Sequence, residues 1–388
     1  MRSRRLHRWI IALVVLLVVG YLAAPYARAL SLIVRAANMG GSVEAWANDR
    51  AAAVSIDTDR TIPTRHGEVR ARLYRPDSSF TRTVLLVPGI HAMGIDEPRL
   101  TALARDLAGS GVAVMTMALP DLQGYEITPR STDQIEDVAS WLSNRRDLAP
   151  DRRVGLIGIS FAGGMSIVAA GRPSLRDKIA FVLSFGGHGD LPRVVRYLCT
   201  GEAPHVDGIE VHPPHDYGVA IVLYGMAQLV VPPDQVEPLR GGIRTFLSAS
   251  QLTLVDQKQA DATFAKARDM AGAMPDPAAT YLRYVNERDV TALGPVLVPH
   301  IVAVASNAAI SPQRAGSAPT APVYLLHGAD DTVIPSVESV LLADYLERKG
   351  VRVHLLLSRL ITHAEVDKSA AASETWKLVS FWASVLQQ

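Results

Sequence analysis

Apolar runs that end at glycine, proline or a polar turn recur along this chain with helical stretches between them, and no other feature constrains the fold as much. The runs are Val84 to Val87, stopping at Pro88-Gly89, then Val112 to Met117, Val154 to Ile159, Ile179 to Phe185, Val323 to Leu326 and Val351 to Leu357. Continuous rather than alternating apolarity marks strands buried on both faces. Helices are predicted between them: Pro98 to Ala108, a capping box of Ser131 and Gln134 opening one toward Asp147, one from Ala162, Ser336 to Lys349 closed by Gly350, and a terminal one over Ala371 to Leu386. Strands separated by helices form βαβ units and a mostly parallel sheet with both faces covered. The expected class is α/β with a doubly wound sheet. Before the first buried run, Val69, Ala71 and Leu73 alternate with Arg70 and Arg72, a half-buried strand entered from a hairpin turn at His66-Gly67.

The rhythm stops between Leu191 and about Ala321. That stretch, of apparently helical and loop character, reads as a cap inserted above the carboxyl edge of the sheet. It holds two uncharged runs, Tyr217 to Val231 and Ala292 to Ile310. The first is short for a membrane span and the second is broken by Pro295 and Pro299. Left in water they would form an apolar patch of a size soluble proteins rarely expose, so they are expected to bury as pocket wall, with Leu223 as one wall residue. The organisation expected is residues 1–29 as a membrane anchor or signal peptide, 30–60 as a juxtamembrane linker or helix, 61–190 and 322–388 as the core, and 191–321 as the cap.

At the N-terminus Arg2, Arg4, Arg5 and Arg8 precede a charge-free run from Trp9 to Ala27. Those 19 residues, as a helix, would cover about 28 Å, close to the hydrocarbon thickness of a bilayer. Arginines preceding a span stay cytoplasmic, which places the rest of the chain outside the cytoplasm. The alternative is a cleaved signal peptide, for which Ala27-Arg28-Ala29 supplies a small-x-small cleavage site and after which the protein is secreted.

With 39 basic against 38 acidic side chains, the chain lacks the basic footprint of a nucleic-acid binder. The single cysteine, Cys199, excludes an intramolecular disulfide and reads as a small buried hydrophobe. His205, His212 and His215 lie near Asp207, Glu210 and Asp216, but their spacing matches no ligand pattern, and no metal or other cofactor is expected.

Chemistry concentrates in Gly158-Ile159-Ser160-Phe161-Ala162-Gly163-Gly164, directly after an apolar strand and at the start of a helix. A serine on such a turn is pushed out above the sheet, and small neighbours are needed because the backbone passes close by. A hydroxyl becomes a nucleophile only when a base takes its proton and a third group orients that base. Downstream, His327-Gly328-Ala329-Asp330-Asp331-Thr332-Val333-Ile334-Pro335 follows one strand and Ile361-Thr362-His363-Ala364-Glu365 follows the last. The order Ser, Asp, His, each after a strand, completes a nucleophile set.

On these motifs the chain, from about Thr61 to the C-terminus, resembles the α/β-hydrolase superfamily, nearest in texture to bacterial esterases and dienelactone-hydrolase-like proteins. The elbow departs from GxSxG by Ala162 in place of the second glycine. The resemblance implies a catalytic triad of Ser160, Asp331 and His363, with Asp330 and Asp190 as alternative acids. It implies an oxyanion hole from the backbone N–H groups of Ile90 and Phe161, with His91 able to replace Ile90 because Pro88-Gly89 stands where many relatives have His-Gly. The implied substrate is a small-molecule ester with an apolar part. A peptidase or amidase using the same triad, and a catalytically silent anchored binding module, are the alternatives.

Overall fold

The computed structural model describes residues 2–205, 208–215, 217–253, 255–362, 365–366 and 372–388. The chain begins with a long helix, α1 (Arg2–Ala36), and a short one, α2 (Gly41–Asn48). Two antiparallel strands follow, β1 (Val54–Thr64) and β2 (Gly67–Pro76), paired so that Thr64 faces Gly67 across the turn read at His66-Gly67. The alternating part then runs β3 (Thr83–Val87), α3 (Pro98–Gly109), β4 (Ala113–Met117), α4 (Pro120–Gln123), α5 (Pro129–Ser143), β5 (Val154–Ile159), α6 (Phe161–Ala170) and β6 (Ile179–Phe185).

Between β6 and the next strand of the main sheet lie α7 (Leu191–Thr200), a small hairpin of β7 (Glu202–His205) and β8 (Gly208–Val211), and the helices α8 (Gly218–Val230), α9 (Pro233–Leu252), α10 (Gln257–Gly272), α11 (Ala278–Glu287), α12 (Val290–Leu297) and α13 (Ile301–Ala305). The sheet resumes with β9 (Val323–Gly328), α14 (Val337–Arg348) and β10 (Val353–Ser358), and α15 (Ala372–Val385) closes the chain.

The main sheet has the order β1-β2-β4-β3-β5-β6-β9-β10, antiparallel at the first two pairings and parallel thereafter. Parallel strands place all their carboxyl ends at one edge, where ligands bind in open α/β sheets. One face of the sheet carries α5, α6, α14 and the helices between β6 and β9. The other carries α3, α15 and the C-terminal part of α1.

Several boundaries differ from the sequence reading. Sheet structure starts at Val54 rather than at residue 61, because the outer strand of the hairpin is mostly solvated and gives no apolar run. Helix α5 opens two residues before Ser131, with Pro129 in its first turn, so Ser131 and Gln134 are buried inside the helix and form no capping box. The run Ala292 to Ile310 is broken into short turns, with Pro295 inside α12 and Pro299 ending it. The hairpin β7–β8 adds strand to a stretch expected to be helix and loop; it is short and its second strand is fully exposed, so it leaves no apolar pattern.

Of the two readings for residues 30–60, linker or helix, residues 30–36 take the helical one, as the last turns of α1. Ala29, Leu32 and Ile33 are buried with side chains of α3 and α15, Val34 is buried too, and the Ser31 hydroxyl donates to the Ala47 carbonyl at 2.8 Å. Arg35 is fixed by Asp106 Oδ1 (2.9 Å), the Asp106 carbonyl (2.9 Å) and the Ser110 hydroxyl (2.9 Å) at the end of α3. The Asp106 carboxyl is pushed up by burial, against which the Arg35 charge pulls it down. Length and apolarity make Leu17–Ala36 long enough to cross a membrane. The buried side chains from Ala29 on are enclosed by protein, so the stretch left for lipid is the part before them.

Arg35→Ala strands a half-buried carboxylate, and loss of about 3 kcal/mol in stability is expected, read as a lowered melting temperature of the detergent-solubilised protein. Cys199, buried on α7, has its thiol pushed up to about 12 by desolvation. In the folded protein at neutral pH it should resist iodoacetamide and react only on unfolding; labelling of the native state at the rate of a free thiol would contradict that burial.

Candidate active site

Ser160 sits between β5 and α6 with φ 55° and ψ −133°. A serine rarely takes this conformation, which costs on the order of 1–3 kcal/mol and persists only where the surroundings hold it. Here the hold is close packing. A Cβ on Gly158 would lie 2.4 Å from the Ala162 carbonyl oxygen, one on Gly163 2.3 Å from Ser184 Oγ, and one on Gly164 2.6 Å from the His188 ring. The close approach thus falls on Gly158, Gly163 and Gly164, and Ala162, though fully buried, fits where the general pattern has glycine. The Ser160 amide donates to the Phe185 carbonyl at 2.8 Å, and its carbonyl accepts from Gly163 at 2.8 Å.

The loop after β3 approaches the same point. A Cβ on Gly89 would meet Ser160 Cβ at 3.2 Å and the Ile159 carbonyl oxygen at 3.3 Å. That contact places the Gly89-Ile90 backbone beside the serine, opposite the start of α6 where the Phe161 amide lies. His91 turns back on its own loop, its Nδ1 accepting from the Met93 amide at 3.2 Å, and burial lowers its pKa. It therefore stays neutral at pH 7.

Of the candidate acids, Asp331 follows β9 and is 7% exposed. Its Oδ1 accepts from the amides of Val333 (2.8 Å) and Ile334 (3.0 Å), which fixes the plane of the carboxyl group, and Oδ2 lies 3.5 Å from His327 Nε2. Burial and the Asp331 charge push the nearby Tyr197 phenol up to about 12, and its hydroxyl donates to the Thr332 carbonyl at 3.1 Å. Asp330 is exposed. Asp190 is engaged elsewhere: it caps α7 through the Arg193 amide (3.0 Å) and takes Arg314 Nε at 2.6 Å, beside Glu338, whose Oε2 accepts from the amides of Gly189 and Asp190.

Strand β6 separates β5 from β9, so the serine and acid loops stand two strand spacings, about 10 Å, apart along one edge. The carboxyl end of β10 is beside that of β9, tied by the Ala329 amide to the Ser358 carbonyl at 3.0 Å. His363 lies outside the described residues.

A cavity of about 400 Å³ opens over this edge. Phe161, adjacent to Ser160, and Val333, near Asp331, form its floor, and Ile221, Val222 and Met226 of α8 with Val304 of α13 form its walls. Leu223, expected as wall, is fully buried on the other side of α8 and is not among the lining residues. A helix places successive residues about 100° apart, so an all-apolar run does not reveal which side faces a pocket. Arg240 lies at the rim, bonded to the Tyr224 carbonyl (3.2 Å) and Gln228 (2.9 Å).

Sequence reasoning passed over His188. Its ring is fully buried, packs at 5.6 Å from the Phe161 ring, and binds the Ile310 carbonyl at 2.7 Å through Nε2. Burial lowers its pKa, so it is neutral and props the start of α6 without charge. The only signal was its place in Gly187-His188-Gly189-Asp190 after a buried strand. Among the described residues no cluster of three or more His, Cys, Asp or Glu side chains is able to hold a metal.

No family model and no curated protein matches the chain. Solved structures do. A hyperthermophilic esterase from the archaeon Pyrobaculum calidifontis aligns at 16% identity and TM-score 0.50 over 93% of this chain and 88% of that one. A monoclinic form of a Pyrobaculum calidifontis esterase aligns at 16% identity and TM-score 0.50 over 95% and 92%. At that identity the likeness speaks to architecture, and with the sheet order, the elbow and the carboxyl-edge loops it establishes that the chain has the α/β-hydrolase fold.

Proposed function

We propose that the protein is a membrane-anchored serine hydrolase that cleaves a carboxylic ester through an acyl-enzyme. The observation that carries this reading is Ser160 held at positive φ on the strand-to-helix turn, next to Phe161 in the lining of a mostly apolar cavity, with the buried Asp331 on the same edge. Buried structural serines have no need of a strained backbone.

In this mechanism Ser160 Oγ attacks the ester carbonyl while His363 takes its proton. Asp331, oriented by two backbone amides, holds the imidazole and stabilises its charged form. Negative charge on the carbonyl oxygen is met by the N–H groups of Phe161 and Ile90, and the closeness of Gly89 to Ser160 supports that pairing. His363 then protonates the leaving alcohol, and water, activated by the same histidine, releases the acid and restores Ser160. Exposure of Asp330 and engagement of Asp190 by Arg314 favour Asp331 as the acid. The helices over residues 191–321 act as a cap, and their apolar walls favour an ester with an apolar part.

For the N-terminus we favour the uncleaved anchor with the domain outside the cytoplasm. Helix α1 continues without a break through the possible cleavage site at Ala29, which is itself buried in the domain.

Ser160→Ala and Asp331→Asn are expected to lower kcat on p-nitrophenyl esters by about 10⁴-fold or more with melting temperature preserved, and Asp330→Asn to leave it within a few-fold. Fluorophosphonate labelling that survives Ser160→Ala would falsify the nucleophile assignment. Ile221→Trp narrows the cavity and should shift preference toward shorter acyl chains, by about tenfold in kcat/KM between hexanoate and decanoate. An unchanged chain-length profile would remove α8 from the substrate wall. Membrane-fraction protein whose N-terminal sequence starts at Leu30 would overturn the anchor.

A further inference from the structure

The direction of α1 follows from its contacts at two heights of the domain. Strand β3 runs toward the carboxyl edge, so α3, which follows it, starts at that edge and ends at the opposite one, before β4. Arg35, near the end of α1, binds Asp106 and Ser110 in the last turn of α3, at the amino edge of the sheet. Helix α15 follows β10 and likewise descends from the carboxyl edge, and its C-terminal residues Val385 and Gln388 lie near Thr81 just ahead of β3. Tyr26 of α1 stacks on Trp376, in the second turn of α15, with ring centroids 5.4 Å apart and planes 7° from parallel. Between Tyr26 and Arg35, therefore, α1 descends the height of the sheet from the carboxyl edge to the amino edge.

Everything before Tyr26 consequently projects beyond the carboxyl edge. Residues 2–25 remain helical, and the charge-free part of them, Trp9 to Pro25, is 17 residues long, a rise of about 26 Å, at the lower end of what crosses the hydrocarbon core. Where the helix leaves the domain, Tyr26 and Trp376 are 39% and 59% exposed although they are large and apolar. Stacked exposed tyrosine and tryptophan at the end of an apolar span are the side chains that settle at the lipid–water boundary. Other exposed apolar groups lie on loops and helices above the same edge: Met93 after β3, Leu229 at the end of α8, and Val302 on α13 beside the cavity-lining Ala303.

From this geometry we propose that α1 holds the carboxyl edge of the domain, with Ser160 and the cavity mouth, against the bilayer, so that the enzyme draws an ester dissolved in the membrane rather than one from the aqueous phase. The proposal rests on the anchored serine-hydrolase reading and adds to it the stance of the domain and the source of its substrate. Docking of α1 through Leu32, Ile33 and the Arg35 contacts makes that stance rigid, because the helix that enters the lipid is the same helix that is buried in the domain. A flexible linker in its place would let the domain tumble.

The test uses the full chain in vesicles of ether-linked phosphatidylcholine, which contain no cleavable ester. Single cysteines at Lys377 and Val302, near the carboxyl edge, and at Asp177 and Gln388, toward the amino edge, are labelled with an environment-sensitive fluorophore; Cys199 is buried and stays unlabelled. Nitroxide on the lipid headgroup should quench Lys377→Cys and Val302→Cys and spare Asp177→Cys and Gln388→Cys. Equal or reversed quenching overturns the stance, and quenching at Lys377→Cys alone overturns delivery from the membrane. In a second arm a ten-residue Gly-Ser insert after Pro25 frees the domain while keeping it tethered. Turnover of umbelliferyl oleate dissolved in the vesicles should fall by about tenfold as the fixed proximity is lost, with hydrolysis of soluble p-nitrophenyl butyrate unchanged. An equal fall on both esters, or no fall on either, contradicts the proposal. Absence of activity on both esters in the unmodified protein would instead count against the hydrolase reading, and the quenching pattern would still decide the stance.

Discussion

The distance between α6 and the sheet beneath it is the constraint on which the rest of this structure turns. Gly158, Gly163 and Gly164 let the helix sit within backbone contact of β5 and of the β6 loop. Without that approach Ser160 would have no reason to stay at positive φ, and its hydroxyl would not stand clear of the sheet. The same packing brings His188 under Phe161 and draws Gly89 against Ser160. A strained residue at a functional site is kept by over-determined surroundings, and here those surroundings are mainly small side chains.

A second constraint acts at the other face. The Arg35–Asp106 pair and the buried turn around Leu32 convert an apolar N-terminal helix into a structural part of the domain. Partly buried ion pairs add little net stability, but their geometry is exacting, and they fix register. Fixing the register of α1 on α3 and α15 also fixes where the helix leaves the domain. A feature that reads as targeting in the sequence thereby acquires a mechanical role in the structure.

Much of this was legible in the residues. Unbroken apolar runs announced the buried parallel strands, and the short, small-residue turn after β5 announced the elbow, because both are local consequences of backbone sterics. Asp331 was separable from Asp330 by its place in the motif, and the structure buries the first and exposes the second. Less local facts stayed hidden. The outer strand β1 lacks an apolar pattern, and the false capping box at Ser131 satisfies the sequence rule while Pro129 had already opened the helix. Leu223 and Ile221 are equally apolar neighbours on α8, and only the packing of α8 decides that one enters the core and the other the cavity wall.

The sequence by itself determined the α/β class, the position of Ser160 on its turn, the carboxylate that follows β9, and the apolar N-terminal helix, since each depends on neighbouring residues and on the period of burial. Only the tertiary structure decided that Arg314 engages Asp190, which side of α8 faces the cavity, that His188 supports Phe161, and that α1 leaves the domain at the carboxyl edge. Those are relations between residues far apart in the chain, set by how elements pack against one another, and no local pattern encodes them.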